Sequence, residues 1–184
     1  MKRSIPTREL TLISLFTALI AVGAFIKIPI PVVPFTLQFL FTTLAGLMLG
    51  GRLGAMSVGA YIALGLIGLP VFTQGGGIGY VFIPTFGYLL GFCVASYVTG
   101  TMANKDRNPS YKRLLAANFL GLVIVYLFGM FYYFVISNFY LHDPIGIWSL
   151  FLYCFVLAVP GDIVLCLLSA IVAKRLIPVL KWRR

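Results

Sequence analysis

Long apolar runs dominate the pattern of hydrophobic and polar positions in this chain. A helix needs about 20 mostly apolar residues to cross the hydrocarbon core of a bilayer, which only helices and closed barrels can span. The runs lack the period-two alternation of barrel strands, and no linker divides the chain. We therefore predict an all-α integral membrane protein, a single domain over residues 1–184 with six transmembrane helices at about 10–26, 35–50, 54–69, 81–102, 114–137 and 147–173.

Composition and charge support a membrane location and predict an orientation. The chain is 61% hydrophobic and 10% charged, with a mean hydropathy of +1.04, which is too apolar for a soluble domain of this size. With six spans, all basic residues except Lys27 fall on one side. An excess of Lys and Arg in short loops marks the cytoplasmic face, so we predict that both termini are cytoplasmic. This basic surface suits anionic membrane lipid, and no nucleic-acid partner is needed to explain the net charge of +10.

Asp162 is the only acidic residue deep inside an apolar run. An ionisable group near the bilayer centre costs about 2.5 to 3.5 kcal/mol on insertion scales, so it marks a candidate functional site with a polar partner. Pro160 should loosen the last helix beside it. A buried carboxylate offers two acceptors, which match a pair of N–H donors such as those of a cyclic urea. The alternative is a structural bond to a neighbouring helix.

Other polar and irregular features lie at the outer ends of the predicted helices. The segment 28–38 contains three prolines, which predict an extended stretch that could cover a site. Gln38 is the last residue of this segment and lies about one turn into span two, where its amide needs a partner away from lipid. A contact between helices would also satisfy that amide.

The loop between spans three and four contains the run Gly75, Gly76 and Gly77. Successive glycines allow unusual backbone conformations that bring N–H groups close to a ligand, although a flexible surface turn would look the same. In the segment that follows, Thr85 and Tyr88 share one helical face. Tyr80 and Tyr88 could equally be aromatic anchors at the membrane surface.

Four motifs, in this order, resemble the BioY family, the biotin-specific substrate-binding (S) components of energy-coupling factor (ECF) vitamin transporters. They are Ile28-Pro29-Ile30-Pro31 through Pro34-Phe35-Thr36-Leu37-Gln38, then Gly68-Leu69-Pro70-Val71-Phe72 with Gly75-Gly76-Gly77, then Pro84 to Phe92, and finally Pro160-Gly161-Asp162. The resemblance extends from the first predicted helix to the last.

The resemblance implies high-affinity uptake of biotin across the prokaryotic cytoplasmic membrane by a multi-pass binding protein. Two loops would cover an outward-facing site in which Asp162 meets the ureido ring. A transmembrane coupling protein and two ATPase subunits would supply the energy, although some members are thought to act without them. The residues expected to bind substrate are Thr36, Gln38, Gly75, Gly76, Gly77, Tyr80, Thr85, Tyr88 and Asp162.

The resemblance also implies a partner surface on the first helix, where small residues four apart allow close helix approach. Ser14 and Ala18 fit this spacing, with Thr17 and Ala21 adjoining. Family members often carry a lysine three residues after the aspartate, where this chain has Leu165. An S component for another small vitamin-like ligand is therefore the main alternative.

Enzyme and channel functions are disfavoured by what the chain contains. One His, one Glu and three Asp cannot supply a clustered metal or hydrolase site, and we expect no cofactor. No nucleotide-binding motif is present, so any energy must come from other subunits. Polar residues gathered at one end favour a closed pocket over a continuous pore.

Overall fold

The computed structural model describes residues 6–28, 34–106, 108–142 and 144–182. Helices dominate these residues. The α-helices are α1 (Thr7–Phe25), α2 (Gln38–Leu49), α3 (Gly51–Leu66), α4 (Phe86–Ala103), α5 (Tyr111–Val135), α6 (Ile147–Phe151) and α7 (Val159–Trp182). Two short strands, β1 (Lys27–Ile28) and β2 (Phe35–Thr36), pair antiparallel as a hairpin after α1. The predicted covering segment lies partly outside the described residues, at 29–33.

Four stretches within the described part of the chain are long and apolar enough to cross a membrane. They are Thr7–Phe25, Phe86–Ala103, Tyr111–Tyr140 and Ile147–Val179. The helices α2 and α3 are apolar but shorter, with 12 and 16 residues. The predicted fourth span, 81–102, begins later than expected because residues Ile78–Phe82 form a 3₁₀-helix and Pro84 separates it from α4.

Small residues bring the central helices α2, α3 and α4 into direct backbone contact. A Cβ atom added at Gly100 would lie 2.5 Å from the Gly46 carbonyl oxygen, and one added at Gly54 would lie 2.7 Å from the Gly46 Cα atom. The Ser96 hydroxyl donates to the Thr42 carbonyl at 3.0 Å. Such close approach lets helices pack tightly without large side chains between them.

Hydrogen bonds join several helix ends on the side of the bundle that carries most basic residues. The Asn104 side chain at the end of α4 donates to the Leu47 carbonyl near the end of α2, at 3.0 Å. The Lys174 ammonium on α7 donates to Asn108 and Pro109, just before α5. The hairpin, the loop after α3 and the first turn of α7 therefore lie at the opposite end.

The chain between α6 and α7 departs from regular α-helix. A π-helix covers Leu152–Val156, and the next two residues form a turn before α7 begins at Val159. Pro160 occupies the first turn of α7, where its missing N–H has no intrahelical partner to lose. The irregular backbone lies on the N-terminal side of Pro160, and regular helix carries Asp162.

Candidate functional site

A pocket opens at the end of the bundle that carries the hairpin and the loop after α3. It is a cavity of about 70 Å³. Aromatic and apolar side chains form most of its wall, with a few polar groups between them. The lining residues are Pro34, Phe35, Thr36, Gln38, Phe39, Tyr61, Thr73, Tyr80, Thr85, Tyr88, Leu89, Phe92, Val125, Tyr126, Cys154, Ala158 and Asp162.

Asp162 lies in the pocket wall, in the first turn of α7, and its side chain is buried. The Tyr126 hydroxyl, from the middle of α5, donates to Asp162 Oδ2 at 2.5 Å. Asp162 thus has the polar partner that we predicted, although the sequence did not identify it as Tyr126, and this bond also fits the alternative of a structural bond to a neighbouring helix. A carboxylate has about four acceptor positions, so one bond to Tyr126 leaves capacity for a ligand.

Aromatic rings fix the position of the tyrosine that holds Asp162. The Tyr126 ring packs edge-on against Tyr88, with centroids 6.1 Å apart, and against Phe155 at 5.2 Å. Edge-to-face packing of this kind contributes about 0.5–1.5 kcal/mol per pair beyond area burial. Tyr126 is therefore held in place before any ligand arrives.

Three buried polar atoms in the pocket wall have no hydrogen-bond partner among the described residues: Gln38 Nε2, Thr85 Oγ1 and the Tyr88 hydroxyl. The Tyr61 hydroxyl lies near Gln38 and the Cys154 thiol near Tyr88, but neither contact has hydrogen-bond geometry. An unpaired buried polar group costs about 1–3 kcal/mol, so each such group in a native fold requires an explanation. A polar ligand in this pocket would supply the missing partners.

The loop after α3 brings Thr73 and Tyr80 to the pocket. Their hydroxyl groups are 3.0 Å apart, and the Tyr80 ring packs on Phe72 with centroids 4.4 Å apart. The Lys27 ammonium on β1 donates to the Thr73 carbonyl at 3.3 Å. The hairpin and this loop are therefore joined at the pocket mouth.

The three successive glycines shape this loop from outside the pocket wall. Gly75 and Gly77 have φ angles of 115° and 107°, which L-residues rarely adopt. The Gly75 N–H donates to the Phe72 carbonyl within the loop, and the Gly77 N–H donates to the Gly65 carbonyl in the last turn of α3. A Cβ atom at Gly76 would fall against the Leu69 backbone. These glycines turn the chain so that its flanking residues reach the pocket.

Among the predicted substrate-binding residues, the structure thus brings six into one pocket wall. They are Thr36, Gln38, Tyr80, Thr85, Tyr88 and Asp162. Sequence reasoning missed Tyr61, Thr73, Tyr126 and Cys154, which also line this wall. For Tyr126 a signal existed, because a tyrosine in the middle of an apolar span needs a partner for its hydroxyl.

The four residues predicted to bind a partner do not share one face of α1. Ser14 and Ala18 are exposed, and Ala21 is half-buried. Thr17 is buried, and its hydroxyl donates to the Ser57 carbonyl on α3 at 3.0 Å. Thr17 therefore joins two helices of this chain, while Ser14 and Ala18 remain available on the surface.

Leu165 lies one turn beyond Asp162 on α7 and is buried in the apolar core. It does not contribute to the described pocket wall. Across the described ranges, no group of three His, Cys, Asp or Glu residues is placed to hold a metal ion.

The fold and the pocket define a helical, multi-pass membrane protein with a site for a small ligand. The BioY family model matches residues 1–182 of the chain. The chain belongs to the BioY family, whose members are transporter components and not enzymes.

Individual relatives agree with this assignment. The chain is 48% identical over 178 residues to the "Probable biotin transporter BioY" of Lysinibacillus sphaericus, covering 97% of this chain and 91% of that protein. It is 44% identical to the "Biotin transporter BioY" of Thermotoga maritima, over 74% of this chain and 78% of that protein. A crystal structure of the S-component for biotin from an ECF-type ABC transporter is 30% identical, with a TM-score of 0.69 and coverage of 94% of both chains.

Proposed function

We propose that this protein is a high-affinity biotin-binding S component that mediates biotin uptake across the prokaryotic cytoplasmic membrane, energised by a separate ECF module. The observation that carries the proposal is a buried carboxylate, Asp162, in a pocket where three polar atoms have no hydrogen-bond partner among the described residues. The relatives named biotin transporters and the biotin S component of similar fold support the choice of ligand.

The polar groups of the pocket complement the ureido ring of biotin, which has two N–H donors and one carbonyl. Asp162, fixed by Tyr126, accepts from the N–H groups. The Gln38 amide nitrogen has no acceptor within the described ranges, so it is the candidate partner of the carbonyl. Thr85 and Tyr88 supply further hydroxyl groups, and rings such as Phe39 enclose the apolar part of the ligand.

We propose one domain of six transmembrane helices with both termini in the cytoplasm. The helices α2 and α3, together with the four longer stretches, make up the six spans. This arrangement puts the basic end of the bundle inside, where anionic lipid headgroups are available, and opens the pocket outward.

The ECF module in this proposal consists of a transmembrane coupling protein and two ATPase subunits. Ser14 and Ala18 are the candidate contacts with the coupling protein, since both are small and exposed on α1. Ala21 lies at the edge of this surface. Thr17 faces the chain's own interior and supports α1 from behind.

Calorimetric titration of the purified protein in detergent tests the proposed function. We expect saturable one-to-one binding of biotin with nanomolar affinity and no binding of riboflavin or thiamine. Folded protein that gives no heat with biotin would refute the proposal. Saturable binding of riboflavin or thiamine instead would make the protein an S component for that vitamin.

A further inference from the structure

The charges around the pocket are placed unevenly. Among the described residues that line the pocket, Asp162 is the one with a charged side chain. It lies where helices form the pocket wall, and it accepts a hydrogen bond from Tyr126 in the middle of α5. Biotin carries its N–H donors at one end and a carboxylate at the end of a flexible chain. Repulsion between two carboxylates disfavours placing the ligand carboxylate beside Asp162. Its carboxylate therefore belongs at the mouth of the pocket.

Two independent contacts place Lys27 at this mouth. Across the hairpin, Lys27 pairs with Thr36, which lines the pocket. Its ammonium donates to the carbonyl of Thr73, which also lines the pocket. The side chain is exposed, so the ammonium has further N–H donors for a ligand.

The other lysine and arginine side chains of the described residues lie toward the opposite end of the bundle. They lie in the first turns of α1, α3 and α5, just after α4, or in the second half of α7: Arg8, Arg52, Lys112, Arg113, Lys105, Lys174 and Arg175. Among the lysines and arginines that the structure describes, Lys27 is thus the one placed to bind an anion at the pocket mouth.

We propose that Lys27 binds the carboxylate of the ligand and thereby sets both its orientation and the preference for an acid over a neutral analogue. This inference rests on the proposed function. The ligand then lies between opposite charges, with its ring at Asp162 and its carboxylate at Lys27. In the absence of ligand, the bond to Thr73 holds the ammonium close to the place where the carboxylate arrives.

A purely structural role for Lys27, tying the hairpin to the loop after α3, makes a different prediction. A structural tie would affect every ligand equally. A charge contact affects only ligands with a carboxylate. Biotinamide, which keeps the ring and the chain but replaces the carboxylate with a neutral amide, separates the two roles.

The experiment measures the affinities of biotin and biotinamide for the wild type, Lys27→Met and Lys27→Arg, with Lys105→Met as the control at the opposite end. We expect the wild type to bind biotin about tenfold more tightly than biotinamide, in line with loss of one charge-assisted bond at a partly hydrated site. Lys27→Met should lose about tenfold for biotin and less than about twofold for biotinamide. Lys27→Arg should keep the preference, and Lys105→Met should behave as the wild type.

The outcomes distinguish this inference from the proposed function. Equal loss of both ligands in Lys27→Met would make Lys27 a structural tie and overturn the inference. Equal affinity of the wild type for biotin and biotinamide would also overturn it, while leaving biotin binding intact. A wild type that binds no biotin would refute the proposed function itself, and the role of Lys27 with it.

Discussion

Replacing Asp162 with asparagine tests the chemistry of the pocket directly. The substitution keeps the size of the side chain but changes an acceptor-only group into one that both donates and accepts. In the structure, the Tyr126 hydroxyl already donates to one carboxylate oxygen. The asparagine has a single side-chain oxygen. If this oxygen accepts from Tyr126, the NH₂ group faces the N–H donors of the ligand; if it accepts from the ligand, the NH₂ group faces the Tyr126 hydroxyl.

The magnitude follows from the loss of at least one charge-assisted hydrogen bond to the ligand. Such a bond contributes about 1.5–3 kcal/mol. Because about 1.4 kcal/mol corresponds to a factor of ten in affinity, we expect Asp162→Asn to weaken biotin binding about 10- to 150-fold. The burial of the site supports the upper part of this range, since little water reaches the group to replace the lost partner.

Titration calorimetry of the wild type and Asp162→Asn in the same detergent measures this loss. Asp106→Asn is a matched control, because Asp106 pairs with Arg113 at the opposite end of the bundle and its side chain is 62% exposed. We expect this control to bind as the wild type does. An unchanged biotin affinity in folded Asp162→Asn would show that this carboxylate does not face the ligand.

Three further substitutions test other parts of the molecule. Tyr126→Phe removes the hydroxyl that orients Asp162, so we expect biotin affinity to fall about three- to tenfold, measured by the same titration. Ala18→Trp adds bulk to the exposed face of α1, and we expect normal biotin binding but at least about tenfold slower uptake in cells that express the whole ECF module. Gly65→Val drives a side chain into the Phe72 ring, and we expect the melting temperature to fall by about 2–10 °C.

Each of these variants has a control that makes the same kind of substitution at a position where no effect is expected. Tyr97→Phe removes an exposed hydroxyl, Val123→Trp adds a ring to an exposed position of α5, and Gly59→Val adds a side chain where nothing lies within 4 Å of the new Cβ atom. An effect of equal size in test and control would contradict the corresponding reasoning. Normal uptake by Ala18→Trp would remove this face of α1 from the partner surface.

Polar groups in apolar spans were the part of the site that the sequence could predict. Membrane helices offer no water to a carboxylate or an amide, so Asp162 and Gln38 had to meet protein or ligand. The structure brings both to one pocket together with Thr85 and Tyr88. Their contact with biotin remains a prediction.

Relations between helices could not be read from the sequence in the same way. Tyr126 and Asp162 are 36 residues apart, and only the packing of α5 against α7 makes them partners. The sequence did not indicate which of the small residues of α1 would face the interior of the bundle. In the structure, Thr17 faces inward and donates to α3. The glycine run predicted an unusual backbone, but the sequence could not show whether its N–H groups face a ligand or other parts of the chain. In the structure, the Gly77 N–H donates to the Gly65 carbonyl.

The polar atoms of Gln38, Thr85 and Tyr88 that lack a partner in the part of the chain that the structure describes also affect the stability of the fold. Each lowers the free energy of unfolding of the empty protein, and a ligand that pairs with them restores it. At a free biotin concentration 100 times the dissociation constant, binding alone would stabilise the fold by about 2.7 kcal/mol. The same atoms that recognise the vitamin would thus leave the empty protein easier to unfold in the membrane, and resistance to heat or proteolysis would report directly on occupancy.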